Sequence, residues 1–403
     1  MWRNMDKSTE YVRVGTQLYK IVHVPTLQGG EEEQLMPWKY GTLKQDFAKD
    51  EMPQIPKYDG FCTIPSHTDY QAVVSNFLNL YKPISHEPAE GDFSHIVSLL
   101  RHIFGEQYEL GVDYLQLLYL NPMQKQPILL LVSEERNTGK TTFLNFLKAV
   151  FLENATFNTN EDFRSQFNAD WAGKLLIVVD EVLLSRREDS ERLKNLSTAK
   201  TYKVEAKGKD RQEVQFFAKF VLCSNNELYP VIIDQEETRY WVRKVTRLEC
   251  DDTFFLEKLK AEIPAFLFYL KQRPMSSTQQ SRMWFSPKDI HTDALDRIIQ
   301  NNRPRLEVDM AEVILDIMDK MNVDRVQFCL EDLMALLTYA QVKAEKSQVR
   351  KILKDYWKLS PAPNALTYTT YVNDFSFTSG YGARTKVGRF FSVTRDTIRH
   401  LCP

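Results

Sequence analysis

The chain has 403 residues, of which 43% are hydrophobic, with 52 lysines and arginines against 54 aspartates and glutamates. That length supports two or three domains with real cores, and a net charge of −2 gives no global basic field to announce nucleic acid. Five cysteines, an odd number without metal-ligand spacing, argue against a disulfide scaffold or a zinc site; no apolar run reaches about 18 residues, and MWRNMD has no signal core. These features predict a cytoplasmic protein without a membrane partner.

Residues 1–75 mix short strand-like pieces, such as Tyr19 to Val24, with turns at Gly29-Gly30 and at Pro53 and Pro56. They read as a small irregular region with no legible role. Residues 1–120 carry sixteen acids and ten basic groups, whereas residues 341–403 carry four acids and eleven basic groups. The two ends therefore suit different partners, or contacts between subunits. Residues 70–120 read as helices. Val73, Val74, Phe77 and Leu80 suit one apolar face, and Ile96, Leu99, Leu100 and Ile103 another. His95 and His102 on this stretch read as packing or surface residues.

The apolar run 128–132 leads into Ser133-Glu134-Glu135-Arg136-Asn137-Thr138-Gly139-Lys140-Thr141-Thr142. This is the strand, loop and helix start of a P-loop, in which backbone N–H groups at a helix start point at phosphate oxygens. Lys140 would reach the β- and γ-phosphates of ATP, and the Thr141 hydroxyl would ligate Mg²⁺. Ser133 stands where the pattern has glycine. The helix is expected from about 141 to 151.

Residues 175–181, Leu-Leu-Ile-Val-Val-Asp-Glu, form an apolar run ending in two carboxylates. Five apolar residues suit a strand buried on both faces of a parallel sheet, and acids at its carboxyl end lie where ligands bind in open α/β sheets. Asp180 is expected to hold the metal shell, and Glu181 to deprotonate the attacking water. Residues 186–219 hold ten basic groups against six acids, and Lys203-Val-Glu-Ala-Lys207-Gly-Lys209 reads as a basic hairpin with a glycine tip or as a solvated charged face. A third strand, 220–223, ends in Ser224-Asn225-Asn226; Asn225 is either a phosphate sensor or, with Asn226, a turn residue. Arg239 follows as a candidate arginine finger, with Arg243 as the alternative; either could instead be a surface charge.

In this order the motifs resemble superfamily 3 helicases of the AAA+ type. More narrowly, they resemble the C-terminal helicase part of phage and plasmid primase–helicase proteins; Tyr119-Leu-Asn-Pro-Met-Gln-Lys-Gln-Pro127 and Thr238-Arg-Tyr-Trp-Val-Arg243 are also similar to that group. The resemblance covers roughly residues 80–250. It implies an α/β P-loop AAA+ core (121–275) with ATP and Mg²⁺ as cofactors, a helical collar (76–120), and a homo-hexameric ring that moves on single-stranded or forked DNA. By matching position, Lys140, Thr141, Asp180, Glu181, Asn225 and Arg239 are the implied site residues, and Lys203, Lys207 and Lys209 the implied pore cations. No primase-like region precedes the helicase-like part, so priming is not carried over from the resemblance, and a separate primase or polymerase is a candidate partner. The alternative function is an ATP-switched initiator or scaffold that binds DNA without unwinding it.

A helix is expected over 253–271. Residues 276–305 read as a linker, with breaker-rich pieces around 273–280 and at Asn301-Asn-Arg-Pro304. The last part, 306–403, predicts a winged helix: helices over 310–321, 330–339 and 347–358, then strands over 366–372 and 389–394 joined by a loop holding Gly380, Gly382, Arg384 and Lys386. Arg350 and Lys354 on the basic third helix are the candidate DNA contacts.

Overall fold

The computed structural model describes residues 10–26, 30–48, 51–163, 171, 173–204, 212–248, 252–302, 304–374, 376–377 and 380–401. They divide into two compact units, the first reaching Ile298 and the second covering the rest, with residues 234–236 grouped with the second.

The first unit opens with β1 (Tyr11–Val14), β2 (Gln17–Thr26) and β3 (Gly30–Trp38), then α1 (Tyr40–Asp46), β4 (Lys57–Tyr58) and β5 (Gly60–Cys62). The sheet order is β3-β2-β1-β4. Next come β6 (Val73–Val74) and β7 (Phe77–Asn79), an antiparallel pair. This corrects the expected helix face. Val73, Val74, Phe77 and Leu80 fit a 3.6 period, but Ser75 and Asn76 both take positive φ, +47° and +66°, which is the geometry of a tight hairpin turn. Leu80 and Phe77 are substantially exposed rather than packed in a stripe.

From α2 (Ser94–Phe104) and α3 (Tyr108–Leu120) the chain enters β8 (Ile128–Val132) and α4 (Lys140–Phe151). It continues through β9 (Ala155–Asn158), β10 (Leu176–Val179), α5 (Arg187–Thr198), the antiparallel pair β11 (Thr201–Val204) and β12 (Gln212–Gln215), β13 (Lys219–Ser224), β14 (Tyr240–Lys244) and α6 (Phe255–Gln272). Five strands form one parallel sheet in the order β14-β8-β13-β10-β9. The strands of its interior are apolar on both faces because both faces are covered. Leu129, Leu131, Leu176, Val178, Val221 and Cys223 share one core with buried residues of α2, α3, α4 and α6. Each fully buried Leu or Phe there contributes roughly 1.5–3 kcal/mol. Leu130, Ile177 and Leu222 alternate to the other face and are equally buried.

One carboxylate in that core has a definite job. Asp113 on α3 is 0% exposed and accepts from Arg273 Nη1, from the Ser276 N–H (3.1 Å) and hydroxyl (2.8 Å), and from the Ser277 N–H (2.7 Å) and hydroxyl (2.6 Å). Gln116, one turn on, donates to the carbonyls of Leu270 and Arg273. The stretch expected to open a linker is thereby fastened to α3. Beyond it Met283, Phe285 and Ile290 are buried, and α7 (Asp293–Asn301) follows.

The second unit contains α8 (Arg305–Lys320), β15 (Arg325–Phe328), α9 (Leu330–Tyr339) and α10 (Lys346–Lys351), which continues as a π turn over Ile352–Tyr356. Then come β16 (Leu366–Asn373), β17 (Tyr381–Gly388), β18 (Phe391–Thr394) and α11 (Arg395–Leu401). Met310, Ile314, Ile317, Leu333, Leu337, Val349 and Leu353 belong to its core. The expected loop over Gly382, Arg384 and Lys386 is in fact β17, paired antiparallel with β16. Its polar sequence, with only its first residues buried, hides the period-2 signal. The 391–394 strand pairs instead with β15. Among the described residues no helix is long and apolar enough to cross a membrane.

Candidate active site

The site lies where the parallel strands end. β8 runs into the loop 133–139, and α4 begins at Lys140. Gly139 precedes it with φ +78°, a left-handed conformation that glycine adopts without a Cβ penalty. The β10 strand ends beside Asp180, and β13 ends just before Asn225. Because β13 pairs with both β8 and β10, the three ends are brought to one edge. A cavity of about 950 Å³ opens there, within the range of small-molecule sites. Residues 136–142 line it, together with Asp180, Glu181, Asn225, Arg247 and Leu248.

Lys140 is buried, and its Nζ donates to Ser133 Oγ (2.5 Å) and Thr138 Oγ1 (3.1 Å). Ser133, standing in for the expected glycine, therefore supplies an acceptor for the lysine. Its own hydroxyl donates to the Glu135 carbonyl at 2.7 Å. Among the described residues Lys140 makes no ion pair with a carboxylate. Burial pushes its amine below the ordinary lysine range, and the charges of Asp180 and Glu181 pull partly back. Thr141 Oγ1 donates to Asp180 Oδ2 at 2.8 Å. Asn225 Nδ2 donates to Glu181 Oε1 at 3.2 Å. Glu181 sits at φ +59°, a costly conformation of about 1–3 kcal/mol for a residue of this kind, which turns its carboxylate into the cavity rim. Asn226 takes the turn role instead, its Oδ1 accepting from the Leu228 and Tyr229 N–H groups.

Other expected residues lie elsewhere. Glu134 and Glu135 are exposed on the loop, and Glu135 Oε2 accepts from the Arg247 N–H. Arg239 precedes β14, and its carbonyl accepts from the Ile128 N–H. That is the amino edge of the sheet, roughly 16 Å of strand away from the cavity. There its Nη1 is held by both oxygens of Glu237, which also pairs with Lys194 at 3.5 Å. Arg243 is buried and bonded to Glu106 and Gln107, so it braces the α2–α3 junction. Lys203 is exposed on β11, opposite Glu213. Lys207 and Lys209 lie outside the described residues. Arg350 and Lys354 are exposed in the second unit. Sequence reading missed Arg247 and Leu248, which no motif marks. It also missed His102 as a strut, its Nε2 within 3.0 Å of the Thr138 carbonyl.

Comparison with known proteins places the chain beside phage replication machinery. Residues 131–243, the segment spanning β8 to β14, match a family of unknown function (DUF5906). The chain is 24% identical over 209 residues to the DNA primase-polymerase of Nitratiruptor phage NrS-1, an alignment covering 49% of this chain and 28% of that protein. It therefore spans well under a third of that relative's length. Among solved structures it resembles the apo C-terminal region of NrS-1, with a TM-score of 0.65 at 16% identity over 96% of each chain. A second apo form of that region gives 0.64 at 16% identity, again over 96% of each. The likeness shows a shared mixed α/β fold with a parallel sheet.

Proposed function

We propose that this chain is the ATP-driven motor part of a phage-type replication protein. In this reading its first unit is a P-loop AAA+ core of the superfamily 3 kind that hydrolyses Mg²⁺-ATP and moves on DNA as a homo-hexamer. The carrying observation is Lys140, a buried ammonium whose partners are two hydroxyls, facing a cavity that also holds the Thr141–Asp180 and Asn225–Glu181 pairs. A buried cation whose direct partners are neutral hydroxyls favours an anionic ligand. The similarity to a phage primase-polymerase supports the replication setting.

The donor set fits magnesium in the way that ion is usually held. Thr141 and Asp180 offer two oxygens, and Mg²⁺ commonly takes its remaining ligands from water and substrate phosphate. Among the described residues no cluster of three or more His, Cys, Asp or Glu could hold a metal by itself. When bound, the ion would neutralise charge on the phosphate oxygens. Lys140 exchanges its two hydroxyl partners for phosphate oxygens. Glu181 Oε1, aimed by Asn225, accepts the proton of the attacking water as its oxygen bonds to the γ-phosphorus and the bond to the ADP oxygen breaks. Arg239, remote from its own cavity, would serve a neighbour's.

Lys140→Ala is expected to abolish stabilisation by ATP. With ATP at a hundred times its Kd, wild type gains about 2.7 kcal/mol and a raised Tm; a variant that retains the full thermal shift would remove the reading.

The second unit supplies a DNA surface in this proposal. Arg350 and Lys354 lie four residues apart and exposed, and Lys346 precedes them at the same spacing. Lys386 on β17 is drawn back by the buried carboxylate of Asp332, while Arg384 stays exposed. Replacing Arg350 and Lys354 by Ala should weaken DNA binding similarly for all sequences and lower the salt slope by roughly 1.8, about 0.9 per phosphate contact. Fluorescence anisotropy between 50 and 200 mM salt measures this; an unchanged slope would place the DNA elsewhere.

A further inference from the structure

We propose that Arg247 is a second phosphate-binding cation of its own chain's cavity, carried on a strap that is fastened to the 133–139 loop. The inference rests on the triphosphate reading of that cavity and adds a residue that no motif assigns.

After β14, the Val245 N–H donates to the Val132 carbonyl at 2.9 Å, extending the pairing of the two strands to the point where the loop departs. The Arg247 N–H then donates to Glu135 Oε2 at 3.1 Å, and the Leu248 N–H to the Asn137 carbonyl at 3.0 Å. Leu248 Cδ1 lies 3.4 Å from the point that a Cβ on Gly139 would occupy, so strap and loop are packed as well as bonded. Backbone placement of Arg247 is thus set by the same loop that would cradle phosphate. Its side chain is exposed, lines the cavity, and makes no hydrogen bond or ion pair among the described residues.

Charge points the same way. Arg136, Lys140 and Arg247 line the cavity together with Asp180 and Glu181, an excess of one positive charge before any ligand enters. A guanidinium offers paired donors that match phosphate oxygens. Arg239 contrasts with it at every point, sitting at the other edge of the sheet and bound to Glu237. Arg247 therefore acts in cis, and Glu135 is its positioning residue.

Calorimetric titration of the full chain with ATP and with AMP tests the assignment. Arg247→Gln should weaken ATP about tenfold and leave AMP within twofold, Arg247→Lys should recover part of the loss, and Glu135→Ala should weaken ATP less than Arg247→Gln does. Mixing Arg247→Gln chains with Lys140→Ala chains should give no more ATP turnover than the two variants give separately, because each cavity then lacks one of two cations that must come from one chain. Mixing Arg239→Ala chains with Lys140→Ala chains should restore some. Unchanged ATP affinity in Arg247→Gln, or turnover recovered on mixing it with Lys140→Ala, would overturn the inference alone. Wild-type protein that binds no ATP would overturn it together with the reading of the cavity.

Discussion

The Glu181→Gln protein is expected to bind ATP as wild type does and to hydrolyse it at least 10²–10³ times more slowly, the scale at which a positioned general base contributes. The amide is nearly isosteric and still accepts the Asn225 Nδ2 hydrogen bond through its oxygen, so the Asn225 contact is kept while the proton acceptor is lost. Lys140, Thr141 and Asp180 are untouched, which keeps the binding half of the cavity intact. Single-turnover ATPase with and without single-stranded DNA, alongside a binding isotherm, separates the two quantities. Full turnover in the variant would show that Glu181 is not the base. Wild-type protein that binds ATP without turning it over, with or without DNA, would favour the switched initiator over the motor.

The Asp113→Ala protein is expected to lose about 3–5 kcal/mol of stability, because the change strands the Arg273 guanidinium and two serine N–H groups that Asp113 now satisfies. Arg273 keeps Glu109 at 2.7 Å and Gln116 at 2.9 Å, which places the loss at the lower end of that range. Chemical denaturation followed through the buried tryptophans Trp171 and Trp241 reads the change. A loss below about 1 kcal/mol would mean that 276–277 is held by other contacts. Acid gives a second readout. Burial by itself raises the Asp113 pKa, but hydrogen bonds from Ser277, Arg273 and Ser276 outweigh it and leave the carboxyl below its ordinary range. Its stabilising contribution is therefore complete above the ordinary carboxylate range near 4 and is lost as pH falls through the depressed folded value. Asp113→Asn should flatten that part of the acid limb and leave the slope near neutrality unchanged.

The Lys140 loop and the Asp180 strand end were legible because each joins a local apolar run to a polar terminus, a pattern that needs no tertiary knowledge. Asn225 was legible as a strand tip, but its separation from Asn226 in role needed the Leu228 and Tyr229 contacts. Arg247 was not legible at all. It reaches the cavity because β14 pairs with β8 along its whole length, a long-range pairing that leaves no local signature. Likewise, Asp113 looks in sequence like an interruption of an apolar helix, and its five donors come from residues about 160 positions away. The 73–79 misreading has the opposite cause. Two valines, a phenylalanine and a leucine matched a helical period by chance, while two residues with positive φ made the turn. β17 was missed because a mostly solvated strand carries no apolar alternation.

The placement of Arg239 bears on how the protein must be assayed. In the proposed ring, an arginine that serves only an adjoining molecule would leave every solitary chain short of one stabilising charge. Turnover per molecule would then climb with protein concentration until assemblies saturate and collapse on dilution, whereas ligand capture by Lys140 and Arg247 would be indifferent to both.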